Sequence, residues 1–448
     1  PEAACSWEVL DEGRRYLFHL RDDLCWSDGT RLTAHDFEHA WKRVLHPGTG
    51  SPTAGLLYDV KGARAFHQGE TADPDGVGVR ALDPLTLQVD LEQPSSYFLY
   101  LLSYSAAYPV PRHRVEAAGT GWAETGRIVS NGPFCLEDWG PEHGLTLARN
   151  PAYRGRFNGN VERVELVTLP DMSARLAAYE GDRLDALSML DPSPERDSAR
   201  QRHAGEYISA PLLAITYAGF VVDRPPFDDL RLRQAFALAV DREHFADVFL
   251  QGYHFPASGG FIPPGMPGHS SGIALPCDPG RARLLLEEAG YPAGRGLPPL
   301  RLWADRGKET TCAYLAAQWR EKLGVEVPWE TAEYGDFLAR MERDPPAMFL
   351  GTWGADYPDP DDFLRVCDAI RWSRWQDETY GWLIEGARQV ADQRERMEMY
   401  QQADRTLVQN AVLMPLTYWR MHLLVKPWVK KLPTSPIQRW FWKDVLME

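Results

Sequence analysis

The chain has 448 residues, 44% of them hydrophobic and 25% charged, with a formal net charge of -15. That length is too great for one core, so two or three domains are expected, and the composition is that of an ordinary globular protein. The acidic balance argues against nucleic acid, because no basic stripe is present to neutralise phosphates, and no run of eighteen apolar residues is present to span a membrane.

Aromatic residues are plentiful, which suits a lined ligand cleft as well as a large core. The six cysteines, Cys5, Cys25, Cys135, Cys277, Cys312 and Cys367, are scattered, with no C-x-x-C pair and no metal-ligand spacing. Disulfides and buried free thiols are both open. Pro1 is not an initiator residue, so a processed, engineered or incomplete N-terminus is expected, with any signal segment lying outside this chain.

In chain order, Tyr16 to Arg21 reads as a strand and Ser27-Asp28-Gly29-Thr30 as a turn. Thr33-Ala34-His35-Asp36 caps a helix whose apolar face is Phe37, Ala40, Trp41, Val44 and Leu45, and His46-Pro47-Gly48 stops it. Leu85 to Leu91 alternates as a strand. Ser130 through Trp139 and Arg149 through Tyr153 make a hairpin-like pair. Val161 to Leu169 follows as a strand and Met172 to Tyr179 as a helix. Pro225-Pro226-Phe227-Asp228-Asp229 ends a strand and caps a helix with Leu230, Ala235, Phe236, Leu238 and Ala239. Asp241 caps a second helix with Phe245, Val248 and Phe249 on one face, and Gly252 closes it. Asp278-Pro279 opens another helix, closed by Gly290.

Met348 to Trp353 is short and apolar enough to be a buried strand. It runs into Gly354-Ala355-Asp356-Tyr357-Pro358-Asp359-Pro360-Asp361-Asp362-Phe363, an acidic loop in which each proline holds its predecessor extended. Asp356 then sits at a strand end, where a carboxylate can face a cleft. Asp359, Asp361 and Asp362 do not fit an EF-hand spacing, and a solvated or helix-capping role is expected for them. A long helical region from Gly381 to about Asn410 precedes a strand from Leu413 to Val425.

Three stretches carry a resemblance. They are "Y-L-F-H-L-R-D-D-L-C-W-S-D-G-T-R-L-T-A-H-D-F" near the start, "P-P-F-D-D-L-R-L-R-Q-A-F-A-L-A-V-D-R-E" in the middle and "W-G-A-D-Y-P-D-P-D-D-F-L" around Asp356. In this order the chain resembles the family 5 extracellular solute-binding proteins, which serve peptide and nickel importers. The resemblance implies an α/β, two-lobed, periplasmic-binding-protein-like clamp with discontinuous lobes and an additional third domain. By that analogy residues 1–112 form the additional domain and 113–213 with 420–448 form the first lobe. Residues 214–419 form the second lobe, so the chain crosses the hinge near Ala214 and Trp419. Members usually carry several dozen residues before the segment matching Trp7, so either the first lobe lacks its opening part or another segment replaces it.

The resemblance further implies a non-enzymatic binding component of an ABC importer. It would be periplasmic or at the cell surface, monomeric and without cofactor, and would pass a peptide or peptide-like solute to a membrane permease. A ligand-sensing domain of a transcriptional regulator or signalling protein is the alternative use of the same fold. The matching ligand-binding positions are Asp356, which meets the ligand's α-ammonium in peptide binders, with Trp353, Tyr217, Tyr418 and Tyr58. The positions that in oligopeptide-binding relatives meet the peptide carboxylate are occupied here by Leu350 and, in an ungapped match, Glu342. Neither can pair with a carboxylate.

Two motifs point elsewhere and are set aside. His35 and His39 stand four apart on a helix, as in H-E-x-x-H zinc sites, but the intervening acid is Asp36, which serves as a cap. Gly268-His269-Ser270-Ser271-Gly272 fits the nucleophile elbow in letters only, because prolines rather than a strand precede it.

Overall fold

The computed structural model describes residues 2–189 and 194–448. The chain divides into two compact units. One comprises residues 1–208, 423–435 and 439–448, the other residues 209–422 and 436–438.

In the first unit, β1 (Ala4–Leu10), β2 (Arg15–Leu20), β3 (Val79–Asp83) and β4 (Thr86–Asp90) form an antiparallel sheet in the order β1-β2-β4-β3. Helix α1 (Ala34–Leu45) packs on this sheet, and its start is fixed by the expected reciprocal cap, with the Thr33 N–H donating to Asp36 Oδ2 at 2.8 Å. Its Ala40, Trp41 and Leu45 are buried, and the Trp41 indole donates to the Ala107 carbonyl at 2.9 Å. A second antiparallel sheet joins β5 (Phe134–Gly140), β6 (Gly144–Arg149) and β7 (Arg163–Leu166) in that order. Helix α2 (Met172–Glu180) follows, capped by Asp171. It shares a small core with Leu187 of β8 (Ala186–Ser188) and with Leu424.

The second unit is built on one mixed sheet. Its strands are β9 (Tyr207–Phe220), β10 (Phe255–Pro256), β11 (Leu302–Asp305), β12 (Trp329–Ala332), β13 (Met348–Gly354) and β14 (Leu413–Val425), ordered β10-β14-β9-β13-β11-β12. Strands β9 and β13 are buried on both faces, and alternate residues enter two cores. Ala218, Phe220 and Leu350 enter one, together with helices α3 (Leu230–Leu238), α4 (Pro279–Glu288) and α5 (Glu309–Leu323). Ile215, Tyr217 and Phe349 enter the other, with α6 (Glu378–Gln389) and α7 (Gln393–Gln409). None of the helices among the described residues is long and apolar enough to cross a membrane.

Three local expectations need correction. The segment after Asp241 is wound as a π-helix over His244–Phe249. That wider winding turns Val248 and Phe249 off the buried face, leaving them 63% and 43% exposed, while Phe245 stays buried. The region from Gly381 to Asn410 is two helices, because Asp392 caps a fresh start by accepting the Glu395 N–H at 2.9 Å. The acids Asp359, Asp361 and Asp362 are buried, not solvated. The six cysteines are free thiols, with Cys312 and Cys367 buried.

Candidate functional site

The site is assembled where β13 ends. In register, β13 sets Gly351 opposite Tyr217 of β9, Trp353 opposite Ile215 and Gly354 opposite Ala214. The Ala355 N–H extends the ladder to the Leu213 carbonyl at 2.8 Å. Position 351 must be glycine, since a Cβ there would meet the Tyr217 hydroxyl at 2.6 Å. The chain then leaves the sheet, and Asp356 emerges half-buried, one residue beyond the last ladder bond.

Asp362 anchors the turn. Its Oδ2 accepts both the Asp356 backbone N–H and the Trp353 indole N–H, each at 3.1 Å. Burial, and then the charge of Asp356, push the Asp362 carboxyl well above the ordinary range. The other two acids are held by cations. Asp359 receives Arg396 through both oxygens, at 2.6 and 2.7 Å, in a pair almost wholly removed from water. Asp361 receives Arg365 at 2.5 to 3.0 Å, with the Tyr357 hydroxyl at 2.9 Å and the Tyr400 hydroxyl at 3.2 Å. Burial pushes the Asp361 carboxyl up, but Arg365, joined by Arg388 and the Tyr357 hydroxyl, holds it below its ordinary value. Asp359 stays above its own, because burial outweighs Arg396.

The structure brings Trp353 and Asp356 together through Asp362. Tyr217 and Tyr418 lie elsewhere. They are 1% and 2% exposed inside the core of the second unit, so a ligand-lining role is not supported by their position. Tyr217 packs against Phe261 and Phe349, and the Tyr418 hydroxyl donates to the Gly260 carbonyl at 2.7 Å. Tyr58 belongs to the first unit, half-buried, with its hydroxyl 2.6 Å from His67 Nδ1 and Arg64 over its ring. Leu350 is wholly buried in the apolar core, and Glu342 is bound by Arg371 at 2.7 Å.

Reading from sequence missed Asp362 and the Asp359–Arg396 pair. A four-residue spacing from Asp361 to Arg365 was there to be read as a local pair. Arg396, 37 positions from Asp359, was not readable in that way. Elsewhere in this unit a recess of about 870 Å³ is lined by Arg233, Arg365, Arg371 and Arg374, but neither Asp356 nor Trp353 reaches it. Its arginines are engaged with Asp361, Glu342, Asp223 and backbone carbonyls. Among the described residues, no group of His, Cys, Asp and Glu is arranged to hold a metal ion, His35 and His39 included.

An α/β chain of two units, presenting a carboxylate and an indole on a braced loop at a strand end, is organised as a solute-binding protein. Residues 1–369 match the bacterial extracellular solute-binding proteins, family 5 Middle, and the chain belongs to that family. It is 33% identical over 448 residues to the probable deoxycholate-binding periplasmic protein YgiS of Escherichia coli, covering 97% of this chain and 82% of that one. It is 30% identical to the periplasmic oligopeptide-binding protein OppA of Salmonella typhimurium, with 96% and 81% covered. Among solved structures, the murein tripeptide binding protein MppA of Escherichia coli superposes with a TM-score of 0.85 at 25% identity, with 99% and 89% covered. OppA of Burkholderia pseudomallei gives 0.83 at 26%, with 100% and 90% covered. The family's members are binding proteins and not enzymes, and YgiS and the Salmonella OppA are periplasmic.

Proposed function

We propose that this chain is the substrate-binding component of an ABC-type importer, binding a peptide or peptide-like solute and delivering it to a membrane permease. The observation that carries the reading is the Asp356 carboxylate, half-buried at the end of β13 and braced beside Trp353 by Asp362. A carboxylate in that setting offers an ammonium group a charge-assisted hydrogen bond, stronger as water is excluded. The ring of Trp353 supplies an apolar face alongside it. Closure on the ligand, and a division of the first unit into a lobe and an additional domain over residues 1–112, belong to the same proposal. Mass spectrometry of copurifying solutes identifies the ligand class, and calorimetry with peptides tests the site. Asp356→Asn is expected to weaken binding by about 2–5 kcal/mol, the cost of stranding one partner of a desolvated pair. Unchanged affinity would remove Asp356 from the site.

A second reading is favoured by one observation. The chain is 33% identical to YgiS, which is named for deoxycholate, an amphipathic acid with no ammonium for Asp356 to receive. Titration with deoxycholate separates the two readings: tight deoxycholate binding with no peptide binding would replace the peptide assignment.

A further inference from the structure

We propose that Asp362 is the positioning residue of this site, an uncharged carboxylic acid that holds Trp353 and Asp356 in register and leaves Asp356 as the carboxylate that meets a monocationic ligand group. The inference rests on the reading that Asp356 receives the ligand's cation.

The geometry carries it. Two N–H groups, one from the Trp353 indole and one from the Asp356 backbone, converge on a single oxygen, Oδ2, at 3.1 Å each. The other oxygen, Oδ1, is sealed from solvent and has no hydrogen-bond partner, and the residue is 0% exposed. Among the described residues no lysine, arginine or histidine forms an ion pair with it, whereas its neighbours Asp359 and Asp361 each have an arginine. An ionised carboxylate in that place would leave half its charge on a dry, unpartnered oxygen, which is far costlier than an unpartnered hydroxyl. The proton therefore belongs on Oδ1, and Oδ2 is the carbonyl oxygen that takes both donors.

The acidic neighbours act in the same direction. Asp356 and Asp361 disfavour a further negative charge, and the two N–H donors, which favour one, do not outweigh them and burial. Two carboxyl groups that share a site do not both ionise readily. With Asp362 neutral, the reading that Asp356 meets an ammonium needs no second cation for Asp362.

Asparagine reproduces this acid, since its carbonyl oxygen accepts the same two N–H groups without a charge. Alanine removes the acceptor. Infrared difference spectra of the ligand-free protein at pH 7, wild type minus Asp362→Asn, should show a protonated-carboxyl C=O band present only in the wild type. Amide exchange at Asp356 should stay within about threefold of wild type in Asp362→Asn and quicken by about tenfold or more in Asp362→Ala. Trialanine affinity should follow the same split, with the asparagine variant restoring what alanine loses.

An ionised-carboxylate band in place of the protonated one would overturn the proposal. So would an asparagine variant that exchanges and binds as poorly as alanine. Should the alanine variant fail to fold, the infrared comparison still decides. A protonated band with no trialanine binding leaves Asp362 as assigned and counts against the peptide reading alone.

Discussion

Asp359 and Asp361 differ from Asp362 and Asp404 in what accompanies them into the interior, although all four are 2% exposed or less. The first two meet arginines from a helix and a helical turn, and the loop, Arg365, Arg396 and Tyr400 form one charged network. The second two are held by N–H donors. Asp362 takes an indole and a backbone amide, and Asp404 takes the Phe261 amide at 2.7 Å and, weakly, that of Ile262 at 3.5 Å. Burial pushes Asp404 up to about 7, its backbone donors and Arg405 offsetting only part of the effect. Compensated acids fix the loop to the helices as charges. Uncompensated acids fix a turn while remaining neutral or near the edge of ionising.

The comparison can be broken from the compensated side. Arg396→Ala strands Asp359 as a buried charge and should destabilise the protein by about 3–5 kcal/mol in urea unfolding. A loss under 1 kcal/mol would mean that the pair is not a strut. The uncompensated side is sharpened by pH. The folded-state pKa of Asp404 lies above its unfolded value of 3.8, so its stabilising effect is complete below pH 4 and is lost as pH rises through 7. Asp404→Asn should therefore gain on wild type by up to about 4 kcal/mol between pH 4 and pH 8. Tyr380 and Tyr418, which face Asp404, stay protonated over that window because burial raises both. A constant difference between the two proteins would show Asp404 charged throughout. The smallest effect concerns the ligand's other end. With Leu350 in the core and Glu342 bound to Arg371, amidating a peptide's carboxyl terminus should change affinity by less than tenfold, about 1.4 kcal/mol. A tenfold preference for the free acid would require another cation at the site.

Much of this was legible in the sequence, and unevenly so. Local chemistry read well: the Thr33–Asp36 cap, the apolar run of β13 and the strand from Leu413 to Val425 stand as their patterns dictate. Asp356 at a strand end followed from the apolar run before it. The rest depended on partners distant in the chain. Nothing near Tyr217 says that Phe261 and Phe349 enclose it, and nothing near Asp359 announces Arg396. Asp359, Asp361 and Asp362 read as solvated or capping because polarity is the usual guide to exposure. All three are inside, two through arginines and one through two N–H groups.

The central claim is that Asp356 receives a ligand's cationic group, and a double cycle tests it most directly. Calorimetry would compare a peptide with its N-acetylated form, against wild type and against Asp356→Asn. The account predicts that acetylation costs wild type about 2–5 kcal/mol and costs the variant almost nothing further, since the partner is already gone. An equal penalty in both proteins would contradict it and assign the amino group to some other residue.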